Sequence, residues 1–269
     1  MTNNTMTQTF LNYKLQKAKN CKNLQQSHRL LVFIHGLFGD LNNLGAIARG
    51  FEEDYDILRL DLRNHGHSVH SDEMNFDLMA TDVKNLLEHL DLQPAVVIGH
   101  SMGGKVAMKL ADIAPHLVEQ LVIIDISPVK YTENRHDAIF AGLFAVQSSD
   151  AKNRIQAQEA MQPHIKEQGI QQFMLKSFAP TQPERFLFNL TALQKNYENI
   201  SDWSDVYVDK PTLFIKGELS DYIKKEYKQR VLKQFPQAKL FIVSKADHWV
   251  HAVKPNTVIR AITRVLQGE

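Results

Sequence analysis

The chain has 269 residues, 43% of them hydrophobic and 23% charged, with 31 Lys+Arg against 30 Asp+Glu for a formal net charge of +1. This length fits one large domain or one carrying an insertion, and the composition excludes wholesale disorder. The balanced charge asks for no polyanionic partner, so no nucleic-acid role is expected.

A single cysteine, Cys21, rules out an intrachain disulfide and a multi-cysteine zinc site, and it reads as incidental. Met1 to Thr9 is polar and lacks the basic start and apolar stretch of a secretory signal, while no apolar run approaches the ~20 residues that span a bilayer. The expectation is a cytoplasmic monomer or homodimer without a membrane segment.

In chain order, Phe10 to Leu15 predicts an antiparallel hairpin strand at a sheet edge. Leu30 to Ile34, Ile57 to Asp61, Ala95 to Ile98 and Leu121 to Asp125 are short and nearly all apolar, as strands covered on both faces must be. Asp77 to Leu90 and Lys105 to Ile113 carry apolar residues at helical spacing between them. Such alternation builds a mostly parallel α/β sheet with helices on both faces.

After Pro128 the strand punctuation stops until about Trp203, and Gln, Ala, Lys, Phe and Met recur with helical periodicity. Residues 129–203 therefore read as an inserted helical cap, with 1–128 and 204–269 forming the core. The sheet resumes at Pro211 to Lys216 and Lys239 to Val243, and Pro255 to Leu266 closes the chain as an amphipathic helix.

The most informative stretch is Ala95 to Gly104, an apolar strand running through Gly99-His100-Ser101-Met102-Gly103 into a helix. Gly-x-Ser-x-Gly in that context forms a nucleophile elbow, a turn too tight for side chains at the positions two before and two after the serine. It raises the Ser101 hydroxyl at a helix N-terminus, where unpaired amides favour developing negative charge.

A serine hydroxyl is a weak nucleophile, so it needs a histidine base and a carboxylate to orient that histidine. His248 lies between the last strand and the final helix and fits the first role; its neighbour His251 reads as helping to start that helix. For the acid, Ser220 stands where a Gly-x-x-Asp pattern after the penultimate strand would place aspartate, and Asp221 comes one residue later. Asp125 competes from the end of an apolar strand, where a carboxylate is costly to bury without a partner such as an imidazolium. Asp125 is favoured over Asp221, with Ser220 as an auxiliary donor.

His35-Gly36-Leu37-Phe38-Gly39 follows an early strand and can aim a backbone amide at an oxyanion, so the Leu37 and Met102 amides are the expected pair of donors. Asp61-Leu-Arg63-Asn-His65-Gly66-His67-Ser68 contains a His-x-His pair but lacks the further ligands of a zinc hydrolase. No metal or organic cofactor is expected, and these polar side chains are read as bracing the loops of the site.

Taken together, His35-Gly36, Asp61-x-Arg63 with Gly66-x-Ser68, the Gly99 to Gly104 elbow and His248 resemble the α/β-hydrolase superfamily across nearly the whole chain. HGLFGD, DLRNHGHS, GHSMGGK, IDISPVKY followed by ENRHD, LKSF and DHWVHAVKP are similar to the small bacterial esterases of the YbfF type. The resemblance implies an eight-stranded sheet and hydrolysis of short acyl esters, with acyl-CoA thioesters as a further substrate class. It also implies a triad whose acid follows the sixth strand, which carries that role onto Asp125.

The cap is expected to supply an acyl pocket, because the carboxyl edge of a sheet offers only a shallow ledge. Phe38, His100, Phe140, Phe144, Phe173, Met174 and Phe178 are the candidate substrate contacts, the cap residues competing with a role in the cap's own core. Two other readings stand beside the esterase. One is carbon–carbon bond hydrolysis or cofactor-free perhydrolysis on the same triad; the other is a ligand-binding module that has kept the fold without turnover.

Overall fold

The computed structural model describes residues 10–20, 28–92 and 94–268. The expectations for Met1 to Thr9 and for Cys21 lie outside the described residues. Seven strands form one sheet: β1 (Tyr13–Gln16), β2 (Leu30–Ile34), β3 (Asp56–Leu60), β4 (Ala95–His100), β5 (Val118–Ile124), β6 (Thr212–Gly217) and β7 (Ala238–Val243). Their order across the sheet is β1-β3-β2-β4-β5-β6-β7.

Every pairing is parallel except that of β1, which lies antiparallel on β3 with Tyr13 opposite Leu60. Two expectations are corrected here. Among the described residues the sheet has seven strands rather than eight, so the strand counted as sixth in the resemblance is the fifth, β5. The edge strand is no hairpin with its successor, because the parallel register of β2 on β3 places β3 outermost and leaves that edge for β1.

The strands are apolar on both faces because both faces are covered. Val32, Ile34, Val97, Leu121, Ile123 and Phe214 enter one buried cluster, and Leu31, Phe33, Val96, Ile98, Val122, Leu213 and Ile215 enter the other. This is the two-residue alternation of a pleated strand. Burying each such side chain stabilises the fold by roughly 1.5–3 kcal/mol before entropy is counted.

On the second face lie α1 (Gly45–Arg49), and, near the C-terminus, α10 (Val250–Val253) and α11 (Pro255–Leu266), which contribute Ile47, Val250, Val258 and Ile262. On the first lie α2 (Phe76–His89) and α3 (Met102–Ile113), with Met79, Val83, Val106 and Leu110. Asn75 caps α2 by accepting from the Leu78 amide at 2.8 Å.

Between β5 and β6 come five helices: α4 (Asp137–Gln147), α5 (Arg154–Met161), α6 (Gln168–Lys176), α7 (Leu190–Lys195) and α8 (Tyr197–Ser201). Among the described residues this stretch adds nothing to the sheet, and its one β-bridge joins Phe178 to Phe186. Its apolar side chains, among them Phe140, Leu143, Met161 and Phe188, share one cluster with Phe38 and Met102. The helices are thus continuous with the core beneath them. Helix α9 (Lys228–Gln234) connects β6 to β7. No helix among the described residues is long and apolar enough to cross a membrane.

Candidate active site

The turn between β4 and α3 places Ser101 at φ 52° and ψ −123°, a left-handed conformation costing a non-glycine residue roughly 1–3 kcal/mol. The glycines around it are compulsory. A Cβ on Gly99 would run into the carbonyl of Gly103, and one on Gly103 into the carbonyls of Ile34 and His35. Bonds from the Ser101 amide to Ile124 O at 2.9 Å and from the Gly104 amide to Ser101 O at 2.8 Å hold the turn. The Ser101 hydroxyl is thereby lifted above the carboxyl edge of the sheet.

Three side chains from three loops meet there. His248 Nε2 lies 3.0 Å from Ser101 Oγ, and His248 Nδ1 lies 2.8 Å from Asp125 Oδ2. Asp125 follows β5 directly at φ 54°, a conformation that ends the strand at Ile124 rather than at the aspartate.

The carboxylate is fully buried, and it is fully engaged. Oδ1 accepts from the Gly217 amide at 2.9 Å, while Oδ2 accepts from the Ser220 hydroxyl as well as facing His248. These donors offset the desolvation that an unpaired buried carboxylate would suffer. The rival acid is elsewhere: Asp221 pairs with Arg135 at 2.5 Å, and that guanidinium holds its carboxyl below the usual range.

The His248 ring has close neighbours. Tyr222 stacks on it at 4.0 Å, and the Arg135 guanidinium lies 4.6 Å from the centroid of the Tyr222 ring. His100 Nε2 donates to the His248 carbonyl at 3.0 Å, and burial drives the His100 imidazole well below its ordinary pKa, keeping it neutral. His251 belongs to α10 and packs against His100 at 4.1 Å, where burial pushes it down to about 3. It does not start the final helix; Pro255 does.

Two histidines cross-link the loops flanking Ser101. The Leu62 amide donates to His35 Nε2 at 3.0 Å, and the Phe38 amide donates to His65 Nε2 at 3.1 Å, so each loop is tied to the imidazole of the other. Accepting at Nε2 requires both rings to be neutral, in line with burial lowering both pKa values. Asp61 completes the brace by accepting from the Leu41 and His67 amides. Between these anchors the Leu37 amide forms no bond to the described residues, and the Met102 amide, first in α3, lacks an intrahelical acceptor. Among the described residues no cluster of three or more metal-ligating side chains occurs.

Two clefts open on Ser101. One, of about 40 Å³, is lined by Leu37, Met102, Tyr131, Arg135, His136, Tyr197 and Tyr222 among others. The second, of about 30 Å³, is bounded by Phe38, His100, Ile139, Phe173, Met174, His248 and Trp249. Of the expected contacts, Phe38, His100, Phe173 and Met174 reach a cleft. Phe140, Phe144 and Phe178 do not: Phe140 packs edge-on to Phe38 at 5.3 Å and to Tyr197 at 5.4 Å, and Phe178 faces Phe186.

Sequence reasoning missed Tyr131, Arg135, His136, Tyr197, Tyr222 and Trp249. Trp249 had a signal in its position beside His248, Tyr131 had one in the IDISPVKY segment, and Arg135 and His136 had one in the ENRHD segment; Tyr197 and Tyr222 had none. Beneath the first cleft Lys105 is buried, and desolvation lowers it to about 7. Its ammonium donates to Asp202 O at 3.0 Å and lies 4.8 Å from the Tyr131 ring centroid, contacts that favour the charged form and tie α8 to α3.

A family model described as the alpha/beta hydrolase fold matches residues 29–255. Esterase YbfF of Escherichia coli K12 is 43% identical over 257 residues, covering 95% of this chain and 98% of that protein. The sn-1-specific diacylglycerol lipase ABHD11 of Mus musculus is 36% identical over 247 residues, covering 88% of this chain and 80% of its own. Among solved structures, one titled marine microorganism esterase superposes with a TM-score of 0.87 at 32% identity, covering 95% of this chain and 99% of that one.

Proposed function

Because this chain belongs to the α/β-hydrolase family, as an esterase or lipase-type member, we propose that it hydrolyses short-chain acyl esters through an acyl-enzyme on Ser101. The observation that carries the reading is the unbroken relay from Ser101 Oγ to His248 at 3.0 Å and on to Asp125 at 2.8 Å. Its kinship with named esterases supports the substrate class.

In the first half, His248 Nε2 takes the Ser101 proton as Oγ attacks the ester carbonyl. The Leu37 and Met102 amides receive the oxyanion, and an oxyanion donor is typically worth 10²–10³ in rate. Asp125 keeps the imidazole in the tautomer whose Nε2 accepts, then stabilises the imidazolium. His248 returns that proton to the departing alkoxide, leaving acyl-Ser101. In the second half water attacks the acyl carbonyl while His248 takes its proton, and collapse releases the acid and restores the hydroxyl.

The clefts at Ser101 are narrow, about 40 and 30 Å³, and both open to solvent, which favours short acyl chains. Acyl-CoA thioesters would follow the same steps with a thiolate leaving.

The test is Ser101→Ala assayed on p-nitrophenyl acetate, together with fluorophosphonate labelling of the wild type. A loss of about 10⁴–10⁶ in kcat and stoichiometric labelling abolished by the substitution are expected. Activity within tenfold of wild type, or labelling elsewhere, would remove Ser101 from the reaction.

A further inference from the structure

Away from Ser101, a cavity of about 590 Å³ lies between α9 and the outer strand β7, in the ~300–1,000 Å³ range of small-molecule sites. Strand register sets its floor. Phe214 pairs with Leu240 and Lys216 with Ile242, and residues two apart share a face. Phe214, Ala238, Leu240 and Ile242 therefore line the same side of the sheet. The seven residues of α9 bring Val231 and Leu232 against it but leave the outer strand uncovered, with Leu240 55% and Ile242 53% exposed.

The cavity is polarised. Lys224, Lys225 and Lys228 stand at the end nearest the carboxyl edge of the sheet with Lys216, whose ammonium donates to the Gly217 and Ser220 carbonyls, while the apolar floor runs back toward Ala238, where Lys239 also borders it. Lys224 already faces Glu133 at 3.7 Å, which leaves Lys225 and Lys228 to receive an anion, and no acidic residue among the described ones lines the cavity. In a chain of net charge +1 this is a local concentration of ammonium groups. A flat bilayer does not fill a concavity. What matches both the charge and the shape is a molecule with one anionic head and one apolar tail.

We propose that this cavity binds one fatty acid of about twelve carbons, its tail along β7 over Phe214, Leu240 and Ile242, and its carboxylate between Lys225 and Lys228. The site is distinct from the clefts at Ser101 and does not depend on the reaction there.

The experiment is calorimetric titration of monomeric laurate into the full chain, into Leu240→Glu and into the double variant Lys225→Glu/Lys228→Glu. Dodecyltrimethylammonium serves as the probe of equal chain length and opposite charge. One laurate per chain is expected, weakened about tenfold or more in each variant, with the cationic probe weaker by a similar factor. All variants should retain wild-type hydrolysis of p-nitrophenyl acetate, which separates this site from the catalytic one.

Equal laurate affinity across the variants overturns the proposal, as does loss of binding after fluorophosphonate blocks Ser101. Self-association in sedimentation that Leu240→Glu abolishes would assign the face to a second copy instead. Adsorption to phosphatidylglycerol vesicles without uptake of monomeric laurate would assign it to a lipid surface.

Discussion

The carboxyl edge of the sheet and the helices above it are held together by different forces. At the edge, Phe38, Ser101 and Asp125 sit at φ 62°, 52° and 54°, and directional polar bonds secure these strained positions: His65 to the Phe38 amide, Ile124 O to the Ser101 amide, Gly217 to the Asp125 carboxylate. Above the edge, contact is made by rings: Phe140 of α4 and Phe188, from the connection between α6 and α7, each meet Phe38 at 5.3 Å, and Phe186 stacks on Phe188 at 4.8 Å. A hydrogen bond has one good geometry, whereas packed rings tolerate rearrangement at modest cost. Positions fixed by directional bonds thus gather at the edge, and adaptable packing lies above it.

That contrast is sharpest at the two acids. Asp125→Asn should lower kcat on p-nitrophenyl acetate by about 10⁴, because it leaves the imidazole in the wrong tautomer, while Asp221→Asn, which loses only its Arg135 pair, should stay within a few fold. Comparable losses in both would dissolve the distinction between a locked edge and a tolerant surround.

The polar locks should also fail in acid. Burial lowers the pKa of His35, His65, His100, His136 and His251, the last two from 6.5 to about 4 and about 3. Below 6.5 the unfolded chain takes up protons that the native chain refuses, so stability complete above that value falls as the pH drops toward the folded pKa values. The slope approaches about 1.4 kcal/mol per pH unit for each histidine. Urea midpoints between pH 7 and 5 measure it; a flat profile would show that the edge is not held by neutral imidazoles.

Within the helices, Phe140→Ala should cost about 3–5 kcal/mol in urea unfolding, because its ring is interior. Phe173, which borders the second cleft against Trp249 at 4.6 Å, should behave otherwise. Because its side chain is only half-buried, Phe173→Ala is expected to shift KM for longer acyl esters a few fold with a smaller loss of stability than Phe140→Ala. If the two substitutions exchange these effects, the division between packing and lining residues within the helices is drawn in the wrong place.

The edge was legible in the sequence because its constraints are local. Gly99 and Gly103 are dictated by a turn a few residues long, and an aspartate closing the four apolar residues Leu121 to Ile124 must find a partner. The fold class was equally readable, since strands buried on both faces cannot hide among polar residues. The rest depends on the assembled chain. The pairing of β1 with β3 rather than β2 is settled by which strand ends outermost, and nothing within Tyr13–Gln16 records that. Phe140, Phe144 and Phe178 share the apolar character of Phe173, and only the docking of the helices separates them. Tyr131 and Tyr222 reach the site through a bond from the Tyr131 hydroxyl to the Tyr222 carbonyl at 2.6 Å, across 91 residues of chain.

The narrowness of the two clefts at Ser101 has a consequence for binding. An ester bulkier than they are would have to displace side chains that border them, such as Phe173 and Trp249, and the cost of that displacement would be subtracted from its binding free energy. Loosening the ring packing would broaden the range of accepted esters while leaving the serine, the imidazole and the rate of bond cleavage untouched.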